Sequence, residues 1–263
     1  MTRQVLSISS QVVYGPVGNT AAVPALHAAG FTVLQVPTIF LSNHPGHGKP
    51  SGVRLPAAKI DAILKKLAAL EVLNDCVGVL TGYFADAEQV MIAASCIRKM
   101  KQTNPELYVV VDPVLGDGDS LYVSVEVAEA IRDELLPLAS CITPNRFELA
   151  WLTGRSVLNR SDAVSAARYL SCGEVLATSI PVDDGRIATL AISNSESTET
   201  ISRLKPSVPH GTGDFLAGLY LACRLNGYEL AQALSLSSAI LEQAITRSVG
   251  QSWLDVIGVL HEH

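Results

Sequence analysis

Residues 210–214 read His-Gly-Thr-Gly-Asp and run straight into the apolar stretch Phe-Leu-Ala-Gly-Leu-Tyr-Leu-Ala. Two glycines flank Thr212, and the carboxylate of Asp214 follows. Asp is a good N-cap, so a helix is expected to start there. The N–H groups of Gly211, Thr212 and Gly213 can then point together at the positive end of that helix. Such an arrangement binds anions, phosphates in particular. A carboxylate beside a phosphate is electrostatically costly unless it takes a proton from a hydroxyl that attacks the phosphate. The bland alternative is a tight turn with a capping Asp, its glycines serving only backbone geometry.

Other polar residues stand where strands are expected to end. Ser9 and Ser10 follow the first strand, then Tyr14-Gly15-Pro16-Val17-Gly18. Gly82 and Tyr83 follow another, and Asp112-Pro113-Val114-Leu115-Gly116 a third. Thr143-Pro144-Asn145, with Glu148 three positions on, and the pair Thr178 and Ser179 complete the set. Asp112 and Glu148 suit Mg²⁺, which prefers a few carboxylates, several waters and substrate phosphates over a full protein cage. Taken singly, Asp112 could only start a proline turn and Glu148 only favour a helix N-terminus. The six histidines (27, 44, 47, 210, 261 and 263) show no metal-ligand spacing, and no Walker-type run or Gly-x-Ser-x-Gly elbow is present.

The elements that must position these residues alternate. Strands are expected over 4–8, 31–36, 76–81, 107–111, 139–143, 174–179, 186–192 and 198–203, the last two as a hairpin or meander. Helices are expected from Asn19, as cap, to Gly30, then over 57–71, 86–101, 124–136, 146–153, 161–171, 214–226, 229–247 and 251–260. Strand–helix alternation gives βαβ units and a mainly parallel sheet; unbroken apolar strands fit a sheet covered on both faces. With no repeat or linker, residues 1–263 read as a single α/β domain, a three-layer α/β/α sandwich. In such sheets ligands bind at the carboxyl ends of the strands.

Composition narrows the partners. The chain has 263 residues, 48% hydrophobic and 17% charged, with net charge −6. No Lys/Arg run, few aromatics and no long apolar stretch argue against nucleic acid and membrane as partners. Five separated cysteines read as buried reduced thiols of a cytoplasmic protein.

Gly211-Thr212-Gly213-Asp214 resembles the anion-hole and catalytic motif of ribokinase-like kinases. The match narrows through Ser-Gln-Val-Val-Tyr-Gly (10–15), Leu-Ser-Asn-His (41–44), Gly-Tyr (82–83), Asp-Pro-Val-Leu-Gly-Asp (112–117) and Ile-Thr-Pro-Asn-Arg-Phe-Glu (142–148). In that combination the chain resembles the pyridoxal kinases, from residue 4 to about 250. The resemblance implies a ribokinase-like fold and ATP-dependent phosphorylation of the 5′-hydroxymethyl group of pyridoxal, pyridoxine or pyridoxamine. It implies Asp214 as the base and substrate contact, with Gly211, Thr212 and Gly213 as the anion hole. Ser10 would bind the pyridine ring, with Tyr83 beside it and Pro45, Gly46 and His47 over it. Asp112, Tyr122, Thr143, Glu148, Thr178, Ser179 and His210 would face the nucleotide with its Mg²⁺, Asp112 and Glu148 being the metal carboxylates. A homodimer and a monovalent cation such as K⁺ are further implications. Pro45 and His47 depart from the Thr and Tyr or Phe of many members, and Thr178 from the Lys of some. The readings that stay open are a relative acting on hydroxymethylpyrimidine or a sugar, and a B6- or nucleotide-binding protein without turnover.

Overall fold

The computed structural model describes residues 3–183, 185–205 and 207–262; His263 lies outside them. From the N-terminus the chain forms β1 (Gln4–Tyr14), α1 (Asn19–Ala28), β2 (Thr32–Asn43), β3 (Gly52–Arg54), α2 (Ala57–Ala69), β4 (Cys76–Thr81), α3 (Ala87–Thr103) and β5 (Tyr108–Val111). A two-stranded flap, β6 (Gly116–Asp117) and β7 (Ser120–Leu121), precedes α4 (Val125–Ala130), β8 (Cys141–Ile142), α5 (Arg146–Thr153) and α6 (Arg160–Tyr169). β9 (Glu174–Pro181), β10 (Arg186–Ser193) and β11 (Ser197–Arg203) lead to α7 (Thr212–Leu225), α8 (Leu230–Arg247) and α9 (Val256–Leu260).

The main sheet has the order β11-β10-β9-β8-β5-β4-β1-β2-β3. Its centre, from β2 across to β9, is parallel, and antiparallel pairs close both edges. The expected α/β/α sandwich is present. Leu6, Ile8, Val79, Val109 and Val111 face a core with Ile60, Val90 and Ile97 of α2 and α3. Their alternates Val5, Leu80 and Val110 pack on Leu26 of α1 and on Leu216 and Tyr220 of α7. Apolar residues on both faces of one strand require cover on both sides. Strand order reverses at β1, so β1 and β4 flank a crevice at their carboxyl ends.

Several element ends differ from the sequence expectation. β1 and β2 run on to Tyr14 and Asn43 because they pair along that extension, with a register shift between Ser9 and Gln11. Ser9 and Ser10 therefore lie inside a strand, as do Thr178 and Ser179 in β9. Asn19 is not the cap of α1. Gly18 holds that position, and the Asn19 amide turns inward to accept from Ser7 Oγ at 2.7 Å and donate to the Ser9 carbonyl at 3.3 Å.

Candidate active site

α7 is capped by Gly211 and not by Asp214, which is the third residue of the helix. Gly211 has φ +96°, and a Cβ there would sit 1.9 Å from the Pro16 carbonyl oxygen, so the turn accepts only glycine. None of the N–H groups of Gly211, Thr212 and Gly213 donates to a protein acceptor among the described residues. A Cβ on Gly213 would meet nothing within 4 Å, so an anion can approach that backbone. These N–H groups lie where the sequence placed a candidate anion cradle, with the helix starting three residues earlier than a cap at Asp214 requires.

The backbone N–H groups of Gly18 and of Asp214 itself favour the ionised Asp214 carboxylate. Burial pushes its pKa up to about 6, against the pull of those two donors. Asp112, just past β5, is 8% exposed. Burial first, then the charges of Asp214 and Glu148, hold it well above the carboxylate range, while the Thr143 hydroxyl donating at 2.9 Å opposes the shift. Two acids with raised pKa values, one of them raised in part by the other's charge, mark a candidate site built for charge.

Glu148 is occupied by backbone. Its Oε1 accepts from Leu115 at 2.8 Å and Gly116 at 3.4 Å, and its Oε2 from Asn145 at 2.9 Å. Asn145 Oδ1 accepts from the Glu148 N–H in return, completing a reciprocal cap of α5. Burial still pushes Glu148 up to about 7. The turn it braces contains Val114 at φ +43°, a strained conformation for a β-branched residue. Thr178 donates its N–H to the Pro144 carbonyl at 2.9 Å, which brings β9 beside the Thr143 turn. Ser179 follows, exposed and also left-handed at φ +58°.

On the other side of Asp214, Ser10 is buried, and a Cβ on Gly18 would fall 2.2 Å from its hydroxyl. The 42–50 loop winds into a 3-10 turn over Pro45–His47, with His44 Nδ1 accepting from the Gly46 N–H at 3.1 Å. His210 stacks on His44, ring centres 4.1 Å apart, and its Nε2 lies 2.4 Å from where a Gly46 Cβ would be. The His210 ring thus rests on this loop. His47 meets Tyr14 edge-on at 5.2 Å, and Tyr14 meets Trp253 at 5.5 Å. Burial, then His210 and His47, push His44 down to about 4, so its ring is neutral at neutral pH. Tyr83 and Tyr122 line one cavity of about 360 Å³ with Arg54 and Glu126.

Sequence reasoning missed three residues that build the site. Gly18 supplies the donor to Asp214, Asn145 caps Glu148, and Val114 carries the strain. The Thr-Pro-Asn-x-x-Glu spacing contained the second signal, because Asn followed by Glu at the third position is a capping pattern. No residue-type signal marks the first or the third.

The profile of the family described as phosphomethylpyrimidine kinase matches residues 51–254. A pyridoxine/pyridoxal/pyridoxamine kinase of Bordetella avium is 39% identical over 248 residues, covering 92% of this chain and 84% of its own. A pyridoxal kinase PdxY of Rubrobacter xylanophilus is 35% identical over 255 residues, covering 92% and 88%. Among solved structures, a pyridoxal kinase from Entamoeba histolytica superposes with TM-score 0.94 at 28% identity over 100% of this chain and 95% of its own. The pyridoxal kinase from Leishmania donovani in complex with ADP and pyridoxine gives TM-score 0.92 at 28% identity, covering 98% and 94%.

Proposed function

The chain belongs to the phosphomethylpyrimidine kinase family, and from that premise and its pyridoxal kinase relatives we propose how its residues divide the work of phosphorylating a B6 vitamer. It is a pyridoxal kinase: it transfers the γ-phosphoryl group of ATP to the hydroxymethyl oxygen of pyridoxal, pyridoxine or pyridoxamine. The observation that carries the assignment of roles is one half-buried carboxylate, Asp214, beside three backbone N–H groups without an acceptor among the described residues.

Phosphoryl transfer needs little covalent help from the protein; positioning and charge stabilisation do most of the work. The cradle over 211–213 would hold the transferring phosphoryl oxygens as negative charge shifts among them. Asp214 accepts the substrate hydroxyl's proton as the oxygen attacks. Its pKa near 6 keeps it ionised at neutral pH yet basic enough to take that proton. Ser10 and Tyr83 would hold the ring from below and beside, and the 45–47 turn would cover it. His210, stacked on His44, would serve that cover and not the nucleotide alone.

Asp112, with Thr143 fixing one of its oxygens, fits a Mg²⁺ ion carried in by the nucleotide. Among the described residues no group of three or more His, Cys, Asp or Glu forms a metal cage, so waters and phosphates would complete the shell. Bound Mg²⁺ neutralises phosphate charge. Glu148 would act on it through water while holding the 115–116 amides. Thr178 and Ser179 would flank the phosphates, and a monovalent cation would be an added requirement.

Residues Val13, Phe40 and Val53 lie exposed on neighbouring strands at the β1–β2–β3 edge, which supports a homodimer through that edge. No helix among the described residues is long and apolar enough to cross a membrane; a cytoplasmic enzyme fits its reduced, separated cysteines.

The test is ATP consumption against pyridoxal, pyridoxine, pyridoxamine, hydroxymethylpyrimidine and ribose. Turnover of the B6 vitamers above the others supports the reading. Preference for hydroxymethylpyrimidine would move the enzyme to the other activity named by its family.

A further inference from the structure

Beside Asp214, at the crevice between β1 and β4, lies a small, partly open cavity of about 10 Å³. Its wall includes Ser9, Gly18, Gly82, Asp112 and Asp214, closed off from the core by Ala22 and Ala217 of the two helices. Ser9 is 3% exposed, and its hydroxyl has no hydrogen-bond partner in the protein. A buried hydroxyl without a partner is costly, so such groups normally have one, protein or water.

The direction of that hydroxyl is fixed by Gly82. A Cβ placed on Gly82 would lie 2.4 Å from Ser9 Oγ and 3.9 Å from Asp214 Oδ1. The Ser9 hydroxyl therefore sits where a side chain at residue 82 would be, on the side of Gly82 that also approaches the Asp214 carboxylate. Asp112 closes the cavity from β5. Its Thr143 contact uses Oδ1, and no hydrogen bond to Oδ2 is present among the described residues. A volume near 10 Å³ holds one water, and a buried water needs two to four polar partners.

We propose that one internal water occupies this cavity, bonded to Ser9, Asp112 and Asp214, and that Ser9 is thereby a positioning residue for Asp214. The water accepts from the Ser9 O–H and donates one proton to each carboxylate, and its second lone pair can accept from Thr81, whose buried hydroxyl lines the same cavity without a partner among the described residues. With the Gly18 N–H favouring its charge and this water bonded to it, the Asp214 carboxylate is held in place for the attacking hydroxyl. The bridge also places a hydrogen-bond donor between two acids whose charges oppose each other. The inference rests on Asp214 being the base.

Two measurements test it. In a high-resolution crystal structure with ADP and pyridoxal, the cavity should contain one density peak at hydrogen-bond distance from Ser9 Oγ and from both carboxylates. An empty cavity, a Ser9 hydroxyl bonded to a protein acceptor, or a cation with short contacts to five or more oxygens would overturn the water. In solution, Ser9→Ala removes the partner and Gly82→Ala fills the space. Each should lower kcat by roughly tenfold or more, since small misplacements of a reacting group are costly, while KM for ATP and pyridoxal stays put. Ser9→Ala is a small change that should leave melting temperature nearly unaltered. Wild-type kcat in Ser9→Ala would overturn the positioning role. Equal loss of activity in Asp214→Asn with and without Ser9→Ala supports Ser9 acting through Asp214, whereas a full extra loss from Ser9→Ala in that background refutes it. If Asp214→Asn itself turns over normally, the assignment of the base fails instead, and the density result judges the water on its own.

Discussion

Burial makes Asp214 and Glu148 weaker acids than in an unfolded chain, at about 6 and about 7. The folded state therefore binds more protons than the unfolded state between roughly pH 4 and pH 7, and stability falls as pH rises through that window. Asp214→Asn removes one of these buried charges. It is expected to cost about 10²–10⁴-fold in kcat, yet to raise the melting temperature of the ligand-free enzyme at pH 8, by roughly 2–4 °C for each kcal/mol recovered. A lower melting temperature with near-normal turnover would return Asp214 to a capping role. In the wild type, kcat should fall on the acid side with a midpoint near pH 6, because protonated Asp214 accepts nothing. Glu148→Gln behaves differently. Both Glu148 oxygens accept from backbone N–H groups, and an amide would set an N–H₂ against one of these donors. The variant should lose about 1–3 kcal/mol of stability as well as needing more Mg²⁺ for half-maximal rate. A Mg²⁺ titration and a thermal melt on the same sample separate the two effects; full activity in excess chelator would refute the metal requirement.

Elements translate these residues into geometry, and the 42–50 loop is the one held least by the sheet. Its contact with the anion-hole segment is the His44–His210 stack beside Gly46. Gly46→Ala places a methyl against His210 and should raise KM for pyridoxal with KM for ATP unchanged. His210→Ala should undo much of that rise when combined with Gly46→Ala, because it removes the clashing ring. Additive effects in this double-mutant cycle would refute the contact. Element types were legible in the sequence, since apolar runs and helical spacing report burial directly. Element ends were not. The extension of β1 through Ser9 and Ser10 depends on pairing with β2, and pairing across the sheet leaves no mark in local composition. The flap of β6 and β7 is two residues per strand, too short for any period to show. Of the site, the Gly-rich turn, Asp214, Asp112 and Glu148 were readable by type and spacing. The role of Gly18 was not, because its N–H reaches Asp214 only once the two ends of the chain have met.

The whole molecule is polarised along its strands. The candidate site gathers at their carboxyl ends, while a largely buried polar knot ties the amino ends. There Glu174 accepts from Tyr108 at 2.7 Å, Tyr220 at 2.9 Å and Arg224 at 2.5 Å, joining β5, β9 and α7. Glu174→Gln leaves the Arg224 guanidinium largely buried without its counter-charge. Removing one partner of such a pair is strongly destabilising, by roughly 3 kcal/mol. The melting temperature should drop sharply, with kcat of the surviving folded enzyme unchanged; a fall in kcat at low temperature would show that the two ends are coupled. The site itself is stitched from both ends of the chain, with Gly18 and Pro16 at one and Gly211 and Asp214 at the other. Nearly two hundred residues separate Gly18 from Asp214. At about 5–20 residues per second, a ribosome needs on the order of 10–40 s to add them. The sheet's central strand thus waits on the nascent chain for its last partner helix, and no fragment ending before α7 can be an enzyme, however well its strands have paired.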